Sequence, residues 1–246
     1  MSPGSAQLWI GTSGWSYDHW QGPFYPPGLP QEDWLSYYQE HFDTVEINNT
    51  FYQLPAENTF QRWRQHAPPG FRYAVKANRY ITHLKNLKDP QEPLENFLRG
   101  VNVLGEDLGP ILFQLPPDWD YNHRRLAAFL EVLPEGHRYS FELRDLDWIN
   151  DRTLQLLEEH RAAFCIYDYQ GRTTPRVVTA DFIYLRLHGP TPEAYQGRYT
   201  TEDLAGWAGA FSSWLEQGKD VYCYFDNDIQ GYAVDNAREL KSMLVG

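Results

Sequence analysis

Little in this 246-residue chain suits a secreted, membrane-spanning or nucleic-acid-binding protein. It has only 2 cysteines, Cys165 and Cys223. They fall on separate predicted strands that are not expected to be neighbours, so buried reduced thiols and a cytoplasmic setting are expected. Residues 1–7 lack a basic stretch followed by an apolar one, so no signal peptide is expected. No apolar run approaches the ~20 residues that cross a bilayer, and no membrane partner is expected. Basic residues are outnumbered, 21 Lys and Arg against 33 Asp and Glu, giving a net charge of -12. Phosphate contacts dominate nucleic-acid affinity, so this field disfavours DNA and RNA. Also missing are a tight metal pair such as HExxH and a glycine-rich phosphate cradle. A G-x-S-x-G nucleophile turn is absent too, because Gly11-Thr12-Ser13-Gly14 has the wrong spacing.

What the chain does have is aromatic residues, 9 Trp, 17 Tyr and 13 Phe, which either fill a core or line a site. It also has a series of short apolar runs. Leu8 to Thr12 opens it, and seven others end in a polar or charged side chain: Asn48, Lys76, Gln114, Glu142, Asp168, Arg186 and Asp226. Helical patterns lie between them. The stripe Leu94, Phe97, Leu98, Val101 and Leu104 is the clearest. Others run from Glu32 to Phe42, Arg125 to Leu133, Asn150 to His160, Thr200 to Gln217 and Gly231 to Leu244. Asn150 suits a helix cap, and Thr200 with Asp203 suits a capping box. The stretch Gly171–Thr179 is too short for a full helix. Eight strand-helix units in a chain of about this length predict an α/β fold, a single TIM-type (β/α)8 barrel. It would span residues 8–246 after a flexible start at 1–7. In such a barrel the carboxyl ends of the strands build the active site. The long loops Gly14–Pro30 and Gly189–Tyr199 would lie on that face, as lids or as loops packed by their own rings.

Alternation along a strand assigns each residue a face. Glu46 shares a face with Asn48, opposite Val45 and Ile47. Lys76 opposes Tyr73 and Val75. Ser140, Glu142 and Arg144 oppose Tyr139, Phe141 and Leu143. Tyr184, Arg186 and His188 oppose Ile183, Leu185 and Leu187. The apolar faces must meet the helices, so the polar ones point inward. Burying Glu46, Lys76, Glu142 and Arg186 is costly unless they pair. Either a structural ion network or a functional site accounts for them, and the site is the favoured reading.

The residue types then suggest chemistry. Glu46 and Glu142 suit an acid/base pair if their surroundings separate their pKa values, or they are salt-bridged to Arg144 and Arg186. Lys76 suits a base or Schiff-base amine. His188 suits a proton shuttle. Arg144 and Arg186 suit a grip on an anion. Trp15, Tyr17 and Trp20 suit a ring-lined wall. Asn48, Gln114, Asp168 and Tyr199 are further candidates for holding a ligand. A divalent metal drawn from Glu46, Glu142, Asp168, His188 and Asp226 is the less favoured reading, and no cofactor is predicted.

Several motifs carry a family resemblance. They are Gly11-Thr12-Ser13-Gly14-Trp15-Ser16-Tyr17, Val45-Glu46-Ile47-Asn48, Lys76-Ala77 with Thr82-His83, Phe113-Gln114-Leu115-Pro116-Pro117, Phe141-Glu142-Leu143-Arg144 and Arg186-Leu187-His188-Gly189. Together with Asn227 and Gly231 they resemble the domain-of-unknown-function 72 family, the YecE-like proteins, from about residue 8 to the end. The resemblance implies a TIM-type barrel and no established activity. It adds His83 and Asn227 to the candidates. It counts against Asp226, because the family pattern often has Asn there. The resulting expectation is acid/base chemistry on a polar or anionic small molecule, of a sugar-isomerase-like or lyase-like kind. The alternatives are a metal-dependent phosphodiesterase or nuclease-like hydrolase, and a non-catalytic small-molecule-binding protein.

Overall fold

A computed structural model describes residues 6–244. In chain order the strands are β1 (Leu8–Thr12), β2 (Thr44–Ile47), β3 (Arg72–Lys76), β4 (Leu108–Leu115), β5 (Tyr139–Leu143), β6 (Ala163–Tyr169), β7 (Arg172–Thr173), β8 (Phe182–Leu187) and β9 (Asp220–Phe225). The helices are α1 (Trp34–Gln39), α2 (Asn49–Tyr52), α3 (Glu57–His66), α4 (Gln91–Val101), α5 (His123–Glu131), α6 (Asp151–Glu159), α7 (Thr201–Glu216) and α8 (Tyr232–Leu244). The strands pair in the order β1-β9-β8-β6-β5-β4-β3-β2, and β7 pairs with β6. This alternation of strand and helix around a parallel sheet is the (β/α)8 class. As the sequence requires, no helix forms between β6 and β8; the antiparallel β7 turn takes its place.

The described residues form two compact units. The first holds the residues up to Glu46, Ile166–Arg176 and those from Asp181 onward. The second holds Ile47–Cys165 and Val177–Ala180. The flexible start expected at 1–7 falls, for residues 1–5, outside the described residues. Gln7 itself is tied down, its N–H donating to Asp220 Oδ1 at 2.8 Å.

In the first unit β1 pairs in parallel with β9, and β9 with β8. A bridge from Ser13 to Glu46 joins the end of β1 to β2. Gly11 permits that approach, since a Cβ there would sit 2.2 Å from the Thr44 carbonyl oxygen. Of the rings in the loop after β1, Trp20 and Tyr25 are core: both are buried, and Tyr25 stacks on Trp34 at 4.8 Å. The capping box at Thr200 and Asp203 starts α7. In the second unit β3, β4 and β5 run parallel, with Gln114 opposite Glu142. Asn150 caps α6 by accepting from the Thr153 N–H. A π-helical turn at Tyr80–Leu84 follows β3. Both cysteines are buried, and neither is in a disulfide.

Candidate functional site

In the first unit the strand ends gather a closed polar network. Glu46, wholly buried, accepts hydrogen bonds from the Ser13 hydroxyl, from Tyr184 Oη at 2.6 Å and from Arg186 Nη2 at 2.8 Å. Arg186 Nη2 also reaches Asp226 Oδ2 at 3.1 Å. The same Asp226 oxygen lies 2.8 Å from His188 Nδ1. A carboxylate oxygen can only accept, so Nδ1 carries the proton and the Asp226 pair fixes the ring's tautomer. The alternation that puts Tyr184, Arg186 and His188 on one face of β8 therefore delivers all three to two carboxylates. Burial, then the Glu46 charge, pushes the Tyr184 hydroxyl far above its ordinary pKa, so it remains a donor. Tyr17 Oη donates to the Ser13 carbonyl at 2.6 Å, and burial followed by Asp226 raises it likewise.

The loop after β8 folds back over this cluster. The Tyr195 N–H donates to the His188 carbonyl at 2.8 Å, and its ring meets the edge of His188 at 5.6 Å. Gly189 makes the turn at φ 108°, where a Cβ would lie 2.1 Å from the Gln196 carbonyl oxygen. Three candidates serve this loop. Tyr199 Oη accepts from the Gly189 N–H at 3.0 Å and donates to Asp168 Oδ2 at 3.1 Å. Asn227 Nδ2 donates to the Gly197 carbonyl at 2.8 Å. Asp168, its pKa raised by burial, also lines a cleft of about 410 Å³ with Arg176, which stacks on Trp207. Trp15 and Tyr17 are half-buried.

The second unit gathers a different set. Glu142 is wholly buried, paired with Arg144 Nε, and its Oε2 lies 4.0 Å from the Cys165 sulfur. Gln114 stands beside it in register on β4. Lys76 ends β3 half-buried, with Nζ 4.3 Å from the Phe51 ring centroid. Thr50 Oγ1 donates to the Lys76 carbonyl at 2.6 Å, which ties α2 to the strand end. Asn48, half-buried, precedes α2. His83 lies on the π turn, 4.9 Å from the Phe51 ring, with Nδ1 2.8 Å from Thr82 Oγ1. Burial, then the charges of Lys76 and Arg79, lowers its pKa to about 4, so it is neutral at neutral pH.

Sequence reasoning left Ser13 and Tyr184 out of the candidates and named Asp226 only as a possible metal ligand. Ser13 sits inside the distinctive opening motif, and Tyr184 shares the face of Arg186, so both carried a signal. Asp226 was discounted on the family pattern, yet it bonds both Arg186 and His188. Among the described residues no three His, Cys, Asp or Glu side chains gather as a metal site would require.

Residues 9–246 match the family model described as protein of unknown function DUF72. The chain belongs to the DUF72 family. A DUF72 crystal structure from Thermotoga maritima is 31% identical and covers 98% of this chain and 100% of its own, with a TM-score of 0.87. One from Enterococcus faecalis, at 20% identity and a TM-score of 0.81 over 97% of this chain and 95% of its own, shares the fold. The UPF0759 protein YunF of Bacillus subtilis is 23% identical over 96% of this chain and 94% of its own length. The UPF0759 protein YecE of Escherichia coli is 31% identical over 56% of this chain and 48% of its own. The family carries no assigned activity in its description, and no helix among the described residues is long and apolar enough to cross a membrane.

Proposed function

We propose that this DUF72 protein carries out acid/base chemistry on a polar, anionic small molecule of the sugar or carbonyl type. The observation that supports it is the Asp226–His188 pair at 2.8 Å, set at the carboxyl ends of β8 and β9 beneath Tyr195. A histidine whose Nδ1 proton is held by a carboxylate is fixed in the tautomer and orientation of a base, and His188 is wholly buried in this conformation. Glu46 and Arg186 are positioning residues in this reading. Each is saturated by the other and by Tyr184, Ser13 and Asp226, so neither is spent on substrate. The second unit by itself offers a separate contact for an anionic group in Lys76, half-exposed with Nζ 4.3 Å from the Phe51 ring centroid. A metal-dependent hydrolase is less well supported, because Glu46, Glu142 and Asp226 each already have an arginine partner.

The test is a thermal-shift panel of sugars, sugar phosphates, carboxylates and oligonucleotides, each with EDTA or Mn. A ligand at 100 times its dissociation constant adds about 2.7 kcal/mol, a rise of roughly 5–10 °C for a chain this long. A rise with an anionic small molecule that survives EDTA, kept in His188→Gln while turnover is lost, is the expected result. A rise that requires Mn, or that oligonucleotides alone produce, would overturn it. Binding that persists with no turnover at any pH would reduce the protein to a binder.

A further inference from the structure

A groove of about 380 Å³ opens in the second unit, on the side of the π turn that carries Tyr80, Ile81 and Lys85. That is a volume typical of small-molecule pockets. Its floor is apolar, with Leu54, Ile81 and Phe97. Its rim is polar, and two carboxylates, Asp89 and Glu92, stand there against the single ammonium of Lys85. Tyr80 is 47% exposed at its mouth, and Lys85 Nζ lies over its ring, 5.8 Å from the centroid.

The backbone that forms this wall is unusual. Single π turns are rare and recur at functional sites. This one is followed by three non-glycine residues in the left-handed region, Asn86 at φ 45°, Leu87 at 60° and Asp89 at 44°. For a bulky residue such as Leu87 that conformation is a genuine outlier. It holds because Leu87 is buried and its N–H donates to the Ile81 carbonyl at 2.9 Å. The sharp reversal brings Asp89 to the rim, while Ile81 from the π turn lies on the floor.

We infer that this groove binds a small amphipathic amine, with an aromatic or aliphatic body on the Leu54, Ile81 and Phe97 floor and a cationic group between Asp89 and Glu92. The sign follows from charge complementarity: the lining has one more carboxylate than ammonium, and the whole chain carries -12. An anion of the same shape would meet two carboxylates and one ammonium. The groove shares no lining residue with the His188 cluster and needs nothing from the proposed chemistry there.

Tryptamine is a suitable probe, with indole-3-acetate as its charge-reversed counterpart, each titrated calorimetrically into the full chain at low salt. The expected result is saturable one-to-one binding of tryptamine and none of indole-3-acetate. Asp89→Asn with Glu92→Gln should weaken tryptamine by about tenfold or more. Both carboxylates are exposed, and Asn accepts a left-handed backbone readily, so the double variant keeps the fold. Phe97→Leu, which reshapes the floor without changing charge, should weaken it too. Absence of tryptamine binding, equal binding of indole-3-acetate, or unchanged affinity in the double variant would overturn the inference.

Discussion

The two units solve the burial of charge in different ways. In the first, Glu46, Arg186, Asp226 and His188 form a continuous chain of pairs, and the Arg186 and His188 side chains are almost wholly inaccessible. In the second, Glu142 is likewise sealed against Arg144, but the amine of Lys76 is half-exposed over a ring. A buried pair that loses one partner leaves an uncompensated charge, whereas a half-exposed amine can fall back on water. The first arrangement is rigid and suits holding a proton in place. The second is softer and suits meeting a ligand.

The sharpest test of this contrast is Arg186→Met. It strands both Glu46 and Asp226, and the expected cost is about 3–5 kcal/mol in urea unfolding. Tyr184→Phe should cost about 1.5–3 kcal/mol, the worth of a hydrogen bond to a charged group. Lys76→Met should cost about 1 kcal/mol or less, as for a partly exposed cation over an aromatic ring. If Lys76→Met proved as damaging as Arg186→Met, the distinction between the units would collapse. A further effect is one of pH. The His83 pKa lies near 4 in the folded chain, below its ordinary value of 6.5. As pH falls from about 6.5 to about 4, the unfolded chain takes up a proton that the folded one refuses, so stability declines across that window. His83→Gln should flatten this slope, and an unchanged slope would mean that the ring is not shielded.

The strands and their faces were legible because alternation is a local property: one residue's neighbours decide whether it points in or out. Glu46 and Arg186 could thus be placed on inward faces. That they bond each other could not be read, since they lie 140 positions apart and parity does not name partners. Nor could Asp226 be weighed correctly from a pattern, because its role depends on Arg186 and His188 converging on one oxygen. Helix α3 was missed since its buried face amounts to Phe60 and Trp63 alone. The π turn left no helical signal because its five residues are too few for any period to show. Aromatic residues were the most ambiguous signal. Trp20 and Tyr17 are near in sequence, yet Trp20 is sealed in the core and Tyr17 reaches the polar cluster.

The second unit is nearly one continuous stretch of chain, Ile47–Cys165, whereas the first is assembled from three separate pieces. During synthesis at ~5–20 residues per second, the second unit is fully available while the partner of β1 does not yet exist. Leu8 must wait for Val221, and the Ser13 and Glu46 side chains for Arg186. The opening fifth of the nascent chain therefore spends roughly 10–40 seconds with Trp9, Ile10 and an unpaired strand edge uncovered, and it is there that a chaperone would find its client.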